Sequence, residues 1–228
     1  MTTKKAGRKA PAKAIRPAAN GVKQKRDPAG TRARILAAAI QEFSTYGLGG
    51  ARVDRITRRA RANKRMLYYY FGRKEQLFVA VLEATYERFG AAQQLLDLDH
   101  YDPMEAMRHL MSFLWTYFLE HPEFIRLLNS ENLHQGRHIK KSTRITELAN
   151  PILGILDGVL RRGQEEGVFR RDADIKQLYV TATGVGYFYL ANRYTLSALL
   201  AMEMMSEEAR ATRLAHITDV VLSYLTHK

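Results

Sequence analysis

Apolar positions recur at helical spacing along almost the whole chain, and no stretch shows the strict alternation of a half-buried strand. The first segment puts Ile35, Leu36, Ala39, Ile40 and Phe43 on one face. It opens at Asp27-Pro28, an N-cap residue followed by proline at the first helical position, and closes at Gly47 with Gly49-Gly50 as a turn. Val53, Ile56, Thr57 and Ala60 then fall at i, i+3, i+4 and i+7, a narrow inward stripe that leaves Asp54, Arg55, Arg58 and Arg59 outward. Asn63 is a good N-cap for a third helix, on which Met66, Leu67 and Tyr70 point inward and Phe71 plugs the core of the three helices. Lys64, Arg65, Tyr68 and Tyr69 are left free on its other side, and Gly72 ends it. A fourth helix from Lys74 to Leu96 is too long for a cap on so small a module and links it to the rest of the chain.

From residue 103 onward the pattern stays helical. Pro103 opens a helix rich in large apolar groups, Pro122 opens another that reaches Leu133, and residues 134–142 read as a connector. A long helix covers 143–165 with Pro151 inside it, where proline is expected to kink or break it. Two helices, 174–200 and 207–226, finish the chain. The expectation is an all-α fold of about nine helices. It divides into a basic arm at 1–26, a three-helix helix-turn-helix domain at 27–74 and a C-terminal helical domain at 75–228.

Charge sharpens this division. The net charge is +13, yet residues 1–75 hold 20 basic and 4 acidic side chains, whereas 76–228 hold 16 basic and 19 acidic. A basic front on a near-neutral body favours a polyanionic partner for the front. Residues 1–26 carry nine basic side chains, no acidic ones and almost nothing to bury, which predicts disorder. Such a segment is either an electrostatic arm that follows phosphates or enters a minor groove, or a solubilising tail. The chain has no cysteine, which excludes a disulfide framework and cysteine-based metal or redox chemistry and suits a reducing cytosol. No apolar run approaches a membrane span and the N-terminus lacks the apolar core of a secretory signal, so no membrane partner is expected.

Residues 31–78 resemble the DNA-binding region of the tetracycline-repressor (TetR) family of bacterial transcriptional regulators. The resemblance rests on Ile35…Ala39…Phe43…Gly47, on Val53…Ile56…Ala60, on the run from Asn63 through Lys64-Arg65-Met66-Leu67-Tyr68-Tyr69-Tyr70 to Phe71, and on Lys74-Glu75-Gln76-Leu77-Phe78. It implies a cytoplasmic, nucleoid-associated bacterial regulator, most simply a repressor, that binds a palindromic double-stranded DNA operator and is released by a small-molecule effector. Three positions depart from the family pattern. Arg61 stands where a turn glycine is common, so a non-glycine residue there has to adopt a left-handed or nearby conformation. Arg65 replaces a small residue and adds a long donor to the reading helix, and Arg52 takes a position often held by a phosphate-contacting threonine.

A reading helix needs donors for base edges and donors for phosphates. Arg65 and Lys64 lie in the first turn of the third helix, the part that enters the major groove in such motifs. Arg65 is the expected guanine reader, and Lys64 is expected on a phosphate or base. Tyr68 and Tyr69 offer hydroxyls to phosphates and ring faces to thymine methyls. Lys74, at a helix N-terminus, is expected on a phosphate. Arg52 is a further phosphate candidate, with Thr31 behind it, and Asn63 completes the expected interface as the cap of the reading helix.

For the C-terminal domain the resemblance implies effector binding and dimerisation. Dimerisation also has a physical argument, because one helix-turn-helix reads few base pairs and a two-fold dimer reads two half-sites. The last two helices are the expected homodimer interface, with Ala182, Gly184 and Gly186 allowing close approach and Tyr187, Phe188 and Leu190 filling the seam. The expected effector pocket draws on Tyr86, Phe89, Trp115, Asn129, Asn132 and Tyr187, an aromatic set with a few polar groups that suits a planar small molecule. Packing within the protomer accounts equally well for any one of these aromatics. Glu131 reads either as a partner for a cationic ligand or, more plainly, as the ion-pair partner of Arg126. His134 and His138 stand at i and i+4, but Gly136 lies between them in a connector and no third ligand is near, so neither metal nor cofactor is expected. No nucleophile elbow or phosphate-binding glycine loop is present, which argues against an enzyme. A ligand-blind architectural DNA binder is the other alternative, and preference for one palindrome over random DNA at about 150–200 mM salt separates the two.

Overall fold

The computed structural model describes residues 1–2 and 28–227, so the basic arm beyond its first two residues and the expected cap Asp27 lie outside the described residues. Helix α1 (Pro28–Gly50) turns sharply at Gly47, whose φ of 62° and ψ of 176° end the regular helix before one further turn. Helices α2 (Val53–Arg59) and α3 (Lys64–Phe71) come next, then α4 (Lys74–Gln93). Asn63 caps α3 by accepting the Met66 N–H at 2.9 Å. Gly72 closes it at a φ of 69°, and a Cβ there would stand 2.1 Å from Gln76 Oε1, the atom that caps α4 by accepting the Arg73 N–H. The turn between reading helix and linker helix therefore needs both that glycine and that glutamine.

The remainder comprises α5 (Pro103–Glu120), α6 (Pro122–Leu133), a 3-10 turn (Ile139–Lys141), α7 (Thr143–Glu165), α8 (Ile175–Ala191), α9 (Arg193–Leu200) and α10 (Glu207–Thr226). Among the described residues the structure is all-α, with ten α-helices rather than nine. The segment expected as one helix at 174–200 is broken at Asn192, whose backbone (φ −106°, ψ 10°) leaves the helix while its main-chain and side-chain N–H groups both bond to Phe188 O. Helix α4 stops at Gln93, short of Leu96. Pro151 does not break α7. It sits at an exposed position on that helix.

Two apolar cores meet along α4. The first gathers Ile35, Phe43, Ile56, Leu67 and Phe78, with Phe43 and Phe78 edge to face at 5.1 Å, and it also takes in Leu127 of α6 and Ile145 of α7. The second packs Phe89, Met107, Leu110, Trp115 and Phe118 against Leu156, Leu160, Val221 and Leu225. Burying each such side chain contributes about 1.5–3 kcal/mol. Polar ties reinforce the junction: Leu48 N–H donates to Ser130 Oγ at 3.2 Å, Ser142 Oγ donates to Glu83 at 2.6 Å, and Arg144 pairs with Glu87 at 2.8 Å.

Arg61 takes up the left-handed conformation, with a φ of 49°, while Ala62 N–H bonds to Thr57 O at 3.0 Å. An L-residue in this region costs about 1–2 kcal/mol, offset in part by the extra entropy glycine loses on folding. Arg61→Gly is therefore expected to stabilise the fold by roughly 1 kcal/mol, raising the thermal midpoint by about 2–4 °C in a calorimetric scan. A lower midpoint would mean that the arginine side chain contributes more than its backbone costs.

Candidate nucleic-acid interface and effector site

The free face of α3 carries Lys64, Arg65, Tyr68 and Tyr69, all exposed, while Leu67 and Phe71 are buried and Met66 and Tyr70 half-buried beneath. Helical spacing thus separates a donor-bearing side from an anchoring side on an eight-residue helix. Tyr69 leans edge-on against Tyr70 at 5.2 Å and so has a core residue behind it. Lys64 Nζ pairs with Asp54 Oδ1 at 2.6 Å, and that hydrogen bond and charge hold its ammonium pKa above the usual lysine value.

Beside α3, Arg52 and Lys74 mark the starts of α2 and α4. Arg52 is exposed and Lys74 half-buried. Burial pushes the Lys74 ammonium pKa down; Arg52 and Arg55 add to this, while Glu75 and Glu42 oppose it. A half-buried cation at the N-terminus of a long helix, close to two arginines, is a ready seat for a phosphate oxygen. Arg55, expected to face outward, instead turns back to the buried Glu42 of α1: Glu42 accepts Arg55 Nε at 2.7 Å and the Arg52 N–H at 2.9 Å. Burial raises the Glu42 pKa, but the hydrogen bonds from Arg55 and Arg52 and the charges of Arg55 and Arg59 outweigh it, leaving the group below the usual glutamate value. A buried carboxylate that fixes the first turn of α2 was not read from the sequence, where Glu42 looks like any helical surface acid.

In the C-terminal half, Tyr187 hydrogen-bonds Asn129 through its hydroxyl. Burial raises the Tyr187 pKa, and a hydrogen bond with Asn132 opposes that shift. Burial likewise pushes Tyr86 up to about 12, helped by Tyr179, Tyr187 and Glu131. All these hydroxyls remain protonated donors near neutral pH. Phe89 stacks into the same region through Phe118 and Phe124, which also touch Tyr187 and Tyr86 respectively. Five of the six expected pocket residues therefore come together. Trp115 lies in the same core but makes its ring contact elsewhere, edge-on to Tyr189 at 5.6 Å. Tyr179, two helical turns before Tyr187, was missed, although that spacing already placed it on the same face of α8.

The connector at 134–142 corrects a second reading. Glu131 does not pair with Arg126. It is buried, its Oε1 accepts the N–H groups of His138 (2.7 Å) and Ile139 (3.0 Å), and its Oε2 meets His138 Nδ1 at 2.7 Å. The His138 ring then packs edge-on against Phe78 at 5.2 Å, beneath the first core. Among the described residues no cluster of three or more potential metal ligands occurs.

A helix-turn-helix with a donor-lined third helix, joined by a long fourth helix to an all-helical body, defines a DNA-binding transcriptional regulator. Residues 35–81 match the model for bacterial regulatory proteins of the tetR family, and residues 103–221 match the tetracyclin repressor-like C-terminal domain. The chain belongs to the TetR family, whose members regulate transcription and are not enzymes. It is 43% identical over 192 residues to the HTH-type transcriptional repressor NicS of Pseudomonas putida, covering 84% of this chain and 91% of that protein. It is 37% identical over 147 residues to the HTH-type transcriptional repressor SCO4008 of Streptomyces coelicolor, covering 63% and 69%. Among solved structures, the protein SCO4942 of the same organism superposes with a TM-score of 0.64 at 26% identity, covering 87% of this chain and 99% of that one.

Proposed function

We propose that the chain is an effector-responsive repressor that binds a palindromic operator as a homodimer, with α3 of each protomer in a major groove. The observation that carries this reading is the exposed donor row of Lys64, Arg65, Tyr68 and Tyr69 on a helix anchored from behind. Arg65 reads a guanine, Lys64 a neighbouring base edge, and Tyr68, Tyr69, Arg52 and Lys74 hold phosphates, with Asn63 fixing the start of the helix. Pro28 and Thr31 line the same cleft as Arg65 and Tyr69, which favours a backbone-following role for the basic arm at 1–26. Residues 27–74 then form the DNA-binding domain and 75–228 the effector and dimerisation domain. The names of the two relatives above favour repression over activation, and a cytoplasmic location follows from the DNA partner.

An exposed apolar face favours dimerisation. Val180 and Phe188 on α8 and Val220 and Tyr224 on α10 stand in solvent on packed neighbouring helices. The expected seam is altered in one respect: Ala182, Gly186 and Leu190 face the protomer's own core, where a Cβ on Gly186 would meet Trp115 and Ile217, so α8 offers its opposite side to a partner. Among the described residues no helix is long and apolar enough to cross a membrane. Sedimentation velocity tests the dimer. The wild type is expected at twice the 26.1 kDa chain mass, and Phe188→Glu with Val220→Glu at the chain mass with operator affinity lost. Monomeric wild type, or a dimer unaffected by both charges, would rule out this interface.

The effector site favoured here is the group formed by Tyr86, Phe89, Asn129, Asn132 and Tyr187. Three half-buried tyrosines, counting Tyr179, with the half-buried Asn129 and the exposed Asn132, suit a small planar molecule bearing hydrogen-bond acceptors. Asn129 and Asn132 share α6 with Leu127 and Ser130, which touch the DNA-binding core, so a ligand that shifts α6 biases the spacing of the two reading helices away from the 34–36 Å or so that one turn of DNA requires.

A further inference from the structure

Between residues 28 and 74 there are two carboxylates, the buried Glu42 and the exposed Asp54. Asp54 is thus the one exposed acid between residues 28 and 74, where Arg52, Arg58, Arg61, Lys64 and Arg65 are also exposed, and Glu75 beside Lys74 is the next one along the chain. An anion on a surface that approaches DNA lowers affinity for every sequence, so its presence requires a compensating role. Part of that role is local, since an acid in the first turn of α2 complements the helix dipole. That role needs no partner, yet Asp54 Oδ1 holds Lys64 Nζ at 2.6 Å, across the turn that joins α2 to the reading helix. Both side chains are more than half exposed (63% and 56%), so the pair adds little to stability and its purpose lies elsewhere.

An unrestrained lysine is a point charge on a flexible stem and settles on whichever phosphate is nearest, a contact blind to sequence. An ammonium has three donors. With one given to Asp54, the other two are biased toward the start of α3, where Lys64 is the first residue. The pairing also neutralises the charge, so that Lys64 releases fewer counterions from random DNA. Resting on the reading of α3 as the DNA-reading helix, we propose that Asp54 is a specificity-determining residue that holds Lys64 for a base edge and keeps it off the phosphates.

The test compares Asp54→Asn, Asp54→Glu, Lys64→Gln and the Asp54→Asn/Lys64→Gln double variant with the wild type. Each is scored for base preference at every half-site position of a sequence selected from a random pool, and for the salt dependence of binding to a random-sequence duplex. Lys64→Gln is expected to erase the preference at one half-site position. Asp54→Asn is expected to flatten that same position about tenfold, to tighten random-duplex binding by roughly threefold at about 100 mM salt, and to steepen the log–log salt slope by about two, as for one added phosphate contact per protomer. Asp54→Glu restores the preference, and in the Lys64→Gln background Asp54→Asn leaves base preference unchanged. An Asp54→Asn variant that keeps the wild-type preference at every position, or a Lys64→Gln variant that loses none, overturns the proposal while leaving DNA reading by α3 intact. A wild type that selects no sequence overturns both.

Discussion

Arg65→Ala is expected to weaken binding to the selected operator by roughly 30-fold to 10⁴-fold. A bidentate arginine–guanine contact discriminates by about 1–3 kcal/mol, and a two-fold complex contains two of them, so about 2–6 kcal/mol is at stake. The structure makes Arg65 the strongest candidate for this role, since it is exposed in the first turn of α3 and no carboxylate pairs with it among the described residues. Binding to a random duplex should fall much less, by the loss of one charge per protomer. Fluorescence anisotropy against both duplexes at one fixed salt concentration separates the outcomes. Equal losses on the two would assign Arg65 to the phosphate backbone and leave base reading to Lys64 and the tyrosines.

The second large effect concerns stability rather than recognition. Glu131→Ala is expected to destabilise the protein by about 3–5 kcal/mol, a large share of the total for a domain of this kind. The cost comes from the groups the glutamate leaves behind. The backbone N–H and ring nitrogen of His138 would be buried with no acceptor, and the half-buried Ile139 N–H would lose its partner too. His138 bears on Phe78, and Phe78 on Phe43, so the damage falls on the core beneath the reading helix. Glu131→Gln is the informative companion: its amide oxygen still accepts both backbone N–H groups, its NH₂ can donate to Nδ1 of a neutral imidazole, and the loss should be only about 1 kcal/mol. Urea denaturation of the two variants measures the contrast. Equal losses would mean that the charge of Glu131, rather than its hydrogen-bond acceptors, holds the junction.

Glu131 also shows where a linear reading of this chain stops. Helical periodicity identifies which face of a segment is buried, and Ile35, Phe43, Ile56, Leu67 and Phe71 are buried as their spacing requires. Caps are local too, so Asn63 and Gly72 could be placed from residue type alone, while the positive φ of Arg61 was expected only from the resemblance, which puts a turn glycine at that position. Periodicity does not say what a buried face meets. Glu131 binds a histidine seven residues on, across a turn with left-handed backbone at Gln135 and Gly136, whereas Arg126, five residues before it, points to a different side of α6. Arg55 has an outward position on α2 and still folds back onto Glu42, because α1 supplies a buried carboxylate thirteen residues earlier. Asn192 breaks one helix into two by bonding Phe188 O, a local competition that the apolar pattern around it conceals.

The candidate sites divide in the same way. The donor face of α3 was legible because an eight-residue helix with Leu67 and Phe71 inward leaves its other side a definite set of residues. The tyrosine–asparagine group depends on how α4, α6 and α8 meet, so a list of aromatic residues recovered most of it but could not separate Trp115, which belongs with Tyr189, from Tyr86 and Phe89. The small residues of α8 present the same limit: Gly186 faces Trp115 and Ile217 of its own protomer, at distances where even a Cβ would make ordinary contact.

The central claim is that two copies of α3 read DNA by sequence. Selection of bound duplexes from a random pool at about 150–200 mM salt tests it most directly. The expected result is one enriched palindrome whose half-sites are centred about one helical turn apart. A pool that stays random, with affinity collapsing as salt rises, would mean that the basic face holds only the DNA backbone, and the account of a sequence-specific dimer would be wrong.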